Sequence, residues 1–285
     1  MNLSNEVSVL KLSLHGQLVG YLTGSKNARN VISFADEFKN NIARPTFSLI
    51  TQPNFPNASK SLSKTWQTKQ KLHPILSNLL PEGVLREIIA QNLNEHVDNE
   101  FPLFASLGHD LPGALIATPV EPANVPDYVL SNLINNKIVP VSIRKNQNKF
   151  SLAGIQLKFS MKEKDGRYNI NFDDKLGDWI IKTPSTKHEF VPLNEYSAMS
   201  LAEMVGINIP EIKLVNLNLL DNLPQINLPN EEFAFAIKRF DRDNNIRIHM
   251  EDFAQVLVKY SHQKYNSASY QQIAKVLYDY SGDGL

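Results

Sequence analysis

The segment FSLAGIQLK, residues 150–158, decides how the second half of this chain folds. It places the small residues Ala153 and Gly154 between two apolar runs, a pattern typical of a tight connection between strands. Three further segments follow it along the chain. They are IIKTP at 180–184, NEY at 194–196 and IKRFDR at 237–242. The elements predicted for this half are, in order, a hairpin, a strand, a helix and two more strands.

Two charged residues in these segments form a pattern with chemical meaning. Lys182 stands in an apolar strand, and Glu195 stands at the start of a helix 13 residues later. In the N-terminal lobe of protein kinases, a strand lysine neutralises phosphate charge and a helix glutamate holds that lysine through an ion pair. Each residue alone has a simpler explanation, because strand lysines are usually solvated and a helix-start glutamate usually matches the helix dipole. The order of the four segments favours the kinase-like arrangement.

The chain resembles the HipA family of toxin serine/threonine kinases over nearly all of residues 7–285. The matching text is spread along the chain, and the ordered set carries the resemblance rather than any single motif. Besides the four segments above, it consists of ARP at 43–45, NLLPEG at 78–83, GHDLPGAL at 108–115 and LAEMVGINIP at 201–210.

The resemblance implies an α+β fold in three parts. Residues 1–120 are expected to form a mixed α/β N-terminal subdomain. Residues 121–241 are expected to form a protein-kinase-like, nucleotide-binding N-lobe made of an antiparallel sheet and a helix, and residues 242–285 the first helices of an incomplete C-lobe. The segment PVEPANVP at 119–126 agrees with a boundary near residue 120, because proline interrupts regular structure.

The resemblance also implies a nucleotide site. Ser151 corresponds to the serine that the family autophosphorylates, Lys182 is expected to contact the phosphates, and Phe240 is expected to flank the adenine. The full expected set of nucleotide-binding residues is Ser151, Ala153, Gly154, Lys182, Glu195, Phe240 and Asp241. ATP is the expected cofactor, bound weakly or not at all by this chain, with Mg²⁺ only where a C-lobe is supplied. No metal ligand is predicted within the chain.

Partners are implied in the same way. Full family members phosphorylate a serine of an aminoacyl-tRNA synthetase and bind a helix-turn-helix antitoxin, HipB, which docks the pair on operator DNA. We therefore expect a HipB-like antitoxin as partner and contact with DNA only through it. Lys+Arg and Asp+Glu both number 29, for a net charge of zero, which argues against a surface that binds nucleic acid throughout.

Three departures from the family pattern bear on activity. Lys238 replaces the glutamate that usually precedes Arg-Phe-Asp-Arg, and Leu157, expected to lie on the surface or to pack, replaces a common glutamate. The family's catalytic loop, with its Asp, His and metal-binding Asn, and a later Mg²⁺-binding Asp have no counterpart in residues 242–285. We therefore expect a chain truncated in the C-lobe, without catalytic residues of its own, that cannot transfer phosphate alone.

Alternatives remain open at this stage. The chain could supply its lobe to a separate C-lobe chain, or it could be a non-catalytic module that engages a HipB-like antitoxin or regulates a separate kinase chain. An unrelated α+β ligand-binding protein is the third alternative. Whether the chain is an enzyme by itself is left undecided by the residues.

Other functional classes lack support in the sequence. The absence of cysteine excludes disulfides, thiolate metal sites and a cysteine nucleophile. No run approaches the ~20 apolar residues that span a bilayer, and the N-terminus lacks the basic and apolar regions of a signal peptide. A cytoplasmic location without membrane contact is expected. The segment HMED at 249–252 is predicted to be a polar turn that caps the following helix rather than a metal site.

Periodicity and turn residues predict the local elements. Hairpins are expected around His15-Gly16 and Asp165-Gly166, since such pairs favour tight turns between strands. Further strands are expected at 31–34, 46–50, 179–182, 209–217 and 233–237. Helices are expected at 72–80, 84–93, 127–138, 193–205, 251–258 and 269–280.

Overall fold

The computed structural model describes residues 5–131, 136–141, 157–170, 176–224, 226–243, 246–264 and 266–281. Within these ranges, the chain forms two large sheets with helices packed on them and a C-terminal segment. The expected phosphate-loop residues Ser151, Ala153 and Gly154 lie outside the described residues, so their expected roles stay predictions.

The first sheet is built around one long strand. Its strands are β1 (Asn5–Leu14), β2 (Gln17–Ser25), β3 (Arg29–Phe34), β4 (Trp66–Lys69), β5 (Leu115–Pro119) and β6 (Asn136–Ile138). Their order is β4-β3-β2-β1-β5, and β6 pairs in parallel with the start of β1. The other pairs are antiparallel. His15 and Gly16 both have positive φ between β1 and β2, as a two-residue hairpin turn requires, so this predicted hairpin is confirmed.

The helices of this N-terminal unit are mostly short. They are α1 (Asp36–Asn40), α2 (Ala58–Leu62), α3 (Pro74–Ser77), α4 (Gly83–Leu93), α5 (Glu100–Leu107) and α6 (Asp127–Leu130). Helix α4 confirms the helix predicted at 84–93. The helix predicted at 72–80 is reduced to α3, and Leu79 and Leu80 follow it in tighter turns. Leu80 precedes a proline, a position that disfavours helical backbone.

Two predictions for the N-terminal unit are wrong. The strand expected at 46–50 is absent, and Leu49–Thr51 forms a 3₁₀ turn instead. The Thr51 hydroxyl accepts the N–H of Ser48 at 3.2 Å and donates to its carbonyl at 2.7 Å, and such local bonding competes with strand pairing. The helix expected at 127–138 ends at Leu130, and part of the remainder is β6. Since β5 pairs only with the second half of β1, the first residues of β1 have backbone groups that β6 can pair.

The second sheet carries the segments that suggested a nucleotide site. Its strands are β7 (Lys158–Lys164), β8 (Arg167–Asn169), β9 (Trp179–Lys182), β10 (Ile212–Asn216), β11 (Leu220–Asp221) and β12 (Phe233–Lys238). Their order is β10-β12-β9-β7-β8-β11, with all pairs antiparallel except β8 with β11. Helix α7 (Val191–Met204) packs on β10 and β12. Positive φ at Asp165 and Gly166 confirms the second predicted hairpin.

After the second sheet, the chain crosses back to the N-terminal unit. Its elements are β13 (Arg242–Asp243), β14 (Ile246–Arg247), α8 (Phe253–Val256) and α9 (Tyr270–Tyr280). The side chain of Gln255 donates to the Ile75 carbonyl at 2.7 Å. The side chain of Asn78 donates to the Lys259 carbonyl, also at 2.7 Å. The NLLPEG motif thus holds this returning segment.

The cores of the two sheets are continuous. Leu12 of β1 and Ile181 of β9 are fully buried members of one hydrophobic cluster. The two sheets with their helices confirm the α+β class, whereas domain boundaries at residues 120 and 241 stay predictions. Along the described ranges, no helix is both long and apolar enough to cross a membrane.

The HMED segment lies against the N-terminal unit. Asp252 accepts a backbone N–H of α8 at 2.8 Å, which confirms its predicted capping role. Glu251 instead accepts the N–H of Leu49 at 2.7 Å, and Nε2 of His249 lies 3.1 Å from the carbonyl oxygen of Phe47. Burial raises the pKa of Glu251 to about 7. Glu251 therefore belongs to an interface between two parts of the chain, where its ionisation affects stability.

The Glu251→Gln variant is expected to change how stability depends on pH. The folded-state pKa of Glu251 is about 7, against an ordinary value of 4.5, so the folded protein binds more protons than the unfolded chain between these values. Below pH 4.5, protonated Glu251 makes its full contribution to stability. This contribution is lost as the pH rises to about 7. We expect the free energy of unfolding of the wild type, relative to the variant, to fall by about 3 kcal/mol across this window.

Urea unfolding at several pH values measures the free energy of unfolding of both proteins. Burial lowers the pKa of His249, which has the opposite effect on stability as the pH changes. This contribution is present in both proteins, so it cancels in the difference between them. The Glu203→Gln variant, altered on the exposed face of α7, serves as the control and should follow the wild type. Curves that run parallel for the wild type and Glu251→Gln would contradict the prediction.

Candidate functional site

An ion pair joins β9 to α7. Lys182 is the last residue of β9, and α7 carries Pro192 in its first turn, where a missing N–H interrupts no helical hydrogen bond. The helix places Glu195 so that its carboxylate pairs with the Lys182 ammonium group. Nζ of Lys182 also lies 5.5 Å from the ring centre of Phe235, a cation–π distance. The predicted ion pair is confirmed, and its role toward a nucleotide stays a prediction.

Lys158 stands outside the expected set of site residues, yet the sheet places it beside Lys182. The register of β7 and β9 sets the two lysines directly opposite each other, where side chains of neighbouring strands interact. Burial, together with the charge of Lys182, lowers the pKa of Lys158 to about 8. Two adjacent ammonium groups repel each other, so an anion between them is favourable. Lys158 is the last residue of the segment at 150–158. The sequence gives no sign that it lies beside Lys182, which only the strand register shows.

Phe240 lies just beyond β12 with its ring exposed. Its exposed fraction of 58% is large for an aromatic side chain. It lines an open groove of about 610 Å³ together with Ile209 and Pro210. Lys238 lines the same groove, and its ammonium group lies 3.5 Å from a carboxylate oxygen of Glu211. The departure from the family pattern at Lys238 is therefore a surface ion pair.

A second groove separates the two units. It has a volume of about 850 Å³ and lies between α4 and the loop that follows β9, with Gly83 and Pro184 among its lining residues. Leu157 also lines it and packs against the common core. Of the two alternatives expected for Leu157, surface or packing, the structure shows packing.

Asp241 lies in a buried ionic group, here named the Asp110 cluster, which consists of Asp110, Arg239, Asp241 and Arg242. Arg239 lies 3.2 Å from Asp110 and 2.7 Å from Asp241, and Arg242 lies 3.0 Å and 2.9 Å from the same two carboxylates. Burial alone would raise the pKa of Asp241, but Arg239 and then Arg242 hold it below its usual range. The carboxylate of Asp241 is thus engaged between the two units, and its contact with nucleotide stays a prediction.

The structure brings the two lysines and the glutamate together and places Phe240 in a turn just beyond strand β12 of the same sheet. Phe235 lies opposite Lys182, and Phe240 follows it by five residues, two of them beyond the end of β12. Within the described part of the chain, no group of three or more acidic or histidine side chains could hold a metal ion.

Two family models match the chain. The model described as the HipA N-terminal domain matches residues 10–118, and the model described as the HipA-like C-terminal domain matches residues 150–284. The first match covers most of the N-terminal unit. The second covers the second sheet and the returning C-terminal segment.

Curated relatives agree with these matches. The predicted kinase Y4dM of Sinorhizobium fredii is 36% identical over 275 residues, which are 95% of this chain and 65% of Y4dM. The serine/threonine-protein kinase toxin HipA of Shewanella oneidensis is 24% identical over 205 residues, which are 67% of this chain and 44% of that protein. The chain therefore spans less than two thirds of the length of either relative.

A solved structure shares the fold. A chain in the complex of Shewanella oneidensis HipA with HipB and its operator DNA superposes with a TM-score of 0.57 at 19% sequence identity, covering 93% of this chain and 60% of that chain. This likeness concerns the fold, while the two family models concern the sequence. The chain belongs to the HipA family.

Proposed function

We propose that this chain provides the nucleotide-binding part of a HipA-type serine/threonine protein kinase. The observation that carries the proposal is the ion pair between Lys182 and Glu195 with Lys158 beside it. In protein kinases, a lysine held by a helix glutamate is already in place when the phosphates of ATP arrive. A pair of this kind needs no further ordering when it binds an anion.

The electrostatics around the two lysines support a phosphate ligand. The pKa of Lys158, lowered to about 8 by burial and by Lys182, shows that its charged form is less stable than in water. A phosphate between the two ammonium groups would remove their repulsion and form charge-assisted hydrogen bonds. Phosphate binding and full protonation of Lys158 would therefore favour each other.

The second sheet also offers a place for the base. Phe240 presents an exposed ring at the far end of the strand pair that carries Lys182. Phe240 lies two residues beyond the end of β12, the strand whose Phe235 is paired with Lys182. We assign Phe240 to the adenine and the two lysines to the phosphates.

Nucleotide binding, rather than phosphoryl transfer, is the activity proposed for residues 1–285 by themselves. Transfer needs a group that orients the nucleophile and a carboxylate that holds Mg²⁺, and residues 242–285 contain no match to the family motifs that supply them. Serine phosphorylation, with an aminoacyl-tRNA synthetase as target, is therefore proposed only for a protein in which those groups are also present.

Binding of an antitoxin is a second candidate function. The observation that favours it is the shared fold with the HipA chain of a complex that contains HipB and operator DNA. We propose a HipB-like protein as partner, and we assign DNA contact to that partner because this chain has no net charge. A chain that coelutes with a HipB-like protein but binds no nucleotide would be the non-catalytic module considered above.

Isothermal titration of the purified chain with ADP, and with ATP and Mg²⁺, tests the main proposal. We expect saturable binding of one nucleotide per chain. Absence of binding at millimolar nucleotide would contradict it. Incubation with ATP labelled on the γ-phosphate then separates the two kinds of activity, because label on Ser151 would show that transfer chemistry is present in this chain.

A further inference from the structure

The Asp110 cluster connects the GHDLPGAL motif to the strand end that carries Phe240. The side chain of Arg242 donates to the carbonyl oxygens of Leu111 and Gly113, each at 2.9 Å. In return, the N–H of Gly113 donates to the Asp241 carboxylate at 2.9 Å. Together with the ion pairs to Asp110, these bonds clamp residues 110–113 onto residues 239–242.

Phe240 occupies the one position in that clamped stretch that faces solvent. The side chain of Arg239 is only 1% exposed and that of Asp241 only 4%, whereas the Phe240 residue is 58% exposed. The backbone turns at Phe240 and Asp241, and this turn leaves the ring of Phe240 in solvent while the side chains on either side of it are buried. An exposed ring has little packing of its own, so the orientation of Phe240 depends on the residues on either side of it.

Asp110 is the member of the cluster that comes from the N-terminal unit. Its Oδ1 atom accepts from both Arg239 and Arg242, and Asp241 supplies the second carboxylate. Two carboxylates thus face the guanidinium groups of Arg239 and Arg242, and the partly buried Arg247 also interacts with their charges, so loss of the Asp110 charge would leave these cations against a single carboxylate. Such an imbalance is strongly unfavourable in a buried site, and the stretch around Phe240 would move to relieve it.

We propose that Asp110 is a positioning residue for the base of the nucleotide. It acts through Arg239 and Arg242, which hold the backbone on both sides of Phe240, so the N-terminal unit contributes to adenine recognition without touching the ligand. The inference rests on the proposed nucleotide-binding function. It predicts that binding of the base depends on Asp110, whereas binding of the phosphates depends on the two lysines of β7 and β9.

Titration of the Asp110→Asn variant with two probes tests this separation. We expect its affinity for ADP to fall about tenfold and its affinity for tripolyphosphate, which has no base, to stay within about twofold of the wild type. The control is Asp221→Asn, which removes an exposed carboxylate paired with Arg167 in the same sheet and should leave both affinities unchanged. Equal loss of affinity for both probes would show a general structural defect and overturn the inference.

Hydrogen–deuterium exchange gives a readout that needs no ligand. Amides of residues 239–243 should exchange faster in Asp110→Asn than in the wild type, and unchanged exchange there would overturn the inference. If Asp110→Asn does not fold, Arg242→Lys replaces it, because lysine keeps the charge but cannot make the paired contacts of a guanidinium. A wild-type chain that binds tripolyphosphate but not ADP contradicts this inference, whereas one that binds neither contradicts the proposed function itself.

Discussion

The Lys182→Met variant is expected to bind ADP about 100-fold more weakly than the wild type, a loss of about 3 kcal/mol. Methionine keeps most of the length and the apolar stem of lysine, so its contact with Phe235 is largely preserved. What disappears is the ammonium group that Glu195 holds. Hydrogen bonds to charged groups contribute about 1.5–3 kcal/mol each, and Lys182 is expected to make at least one with phosphate.

Two further variants test whether this loss of affinity is specific to the Lys182 ammonium group and its ion pair. Lys162→Met removes a lysine of β7 whose partner is Asp178, at 2.6 Å, and should leave ADP affinity unchanged. Glu195→Gln leaves Lys182 charged but no longer fixed by an ion pair, so an intermediate loss is expected. Titration calorimetry measures all three. If Lys182→Met and Lys162→Met bind ADP as well as the wild type, the lysine pair is not the phosphate site.

The Arg239→Ala variant is expected to lower the free energy of unfolding by about 3–5 kcal/mol. The Arg239 side chain is 1% exposed and contacts Asp110 and Asp241. It also donates to the hydroxyl of Ser160 at 2.9 Å. Removal of one partner from a buried ionic cluster leaves charges without compensation, and the cavity left by the side chain adds to the cost.

Urea unfolding followed by circular dichroism measures this change. Arg167→Ala is the matched control, because Arg167 pairs with Asp221 at 2.5 Å on the surface, where ion pairs contribute only about 0–1 kcal/mol. The difference between the two variants isolates the effect of burial. A loss of stability in Arg239→Ala no larger than in Arg167→Ala would show that the Asp110 cluster does not hold the two units together.

Local signals predicted the elements that local physics decides. The hairpins at His15-Gly16 and Asp165-Gly166 formed as expected, because these short turns need residues that tolerate positive φ. Helix α4 formed where its apolar periodicity indicated. The ion pair between Lys182 and Glu195 was also predictable, through the order of segments that resembles a kinase lobe.

The errors arose where hydrogen bonds outweighed the apolar pattern. These bonds came either from side chains within the segment or from strands elsewhere in the chain. At 46–50 the hydroxyl of Thr51 bonded the backbone of Ser48 and formed a turn. At 136–138 the open edge of β1 recruited a strand from a stretch expected to be helical. Neither the free length of an edge strand nor its nearest partner can be read from a window of ten residues.

The sequence by itself determined the family, the α+β class and the residue types available for binding an anion, because motifs, turns and periodicity are written in neighbouring residues. Only the tertiary structure decided that Lys158 stands beside Lys182, since that depends on the register between β7 and β9. It also decided that Asp110 and Asp241, more than a hundred residues apart in sequence, neutralise the same two arginines. Buried charges must be compensated wherever the fold brings them together, and contacts of such long range carry no local signature.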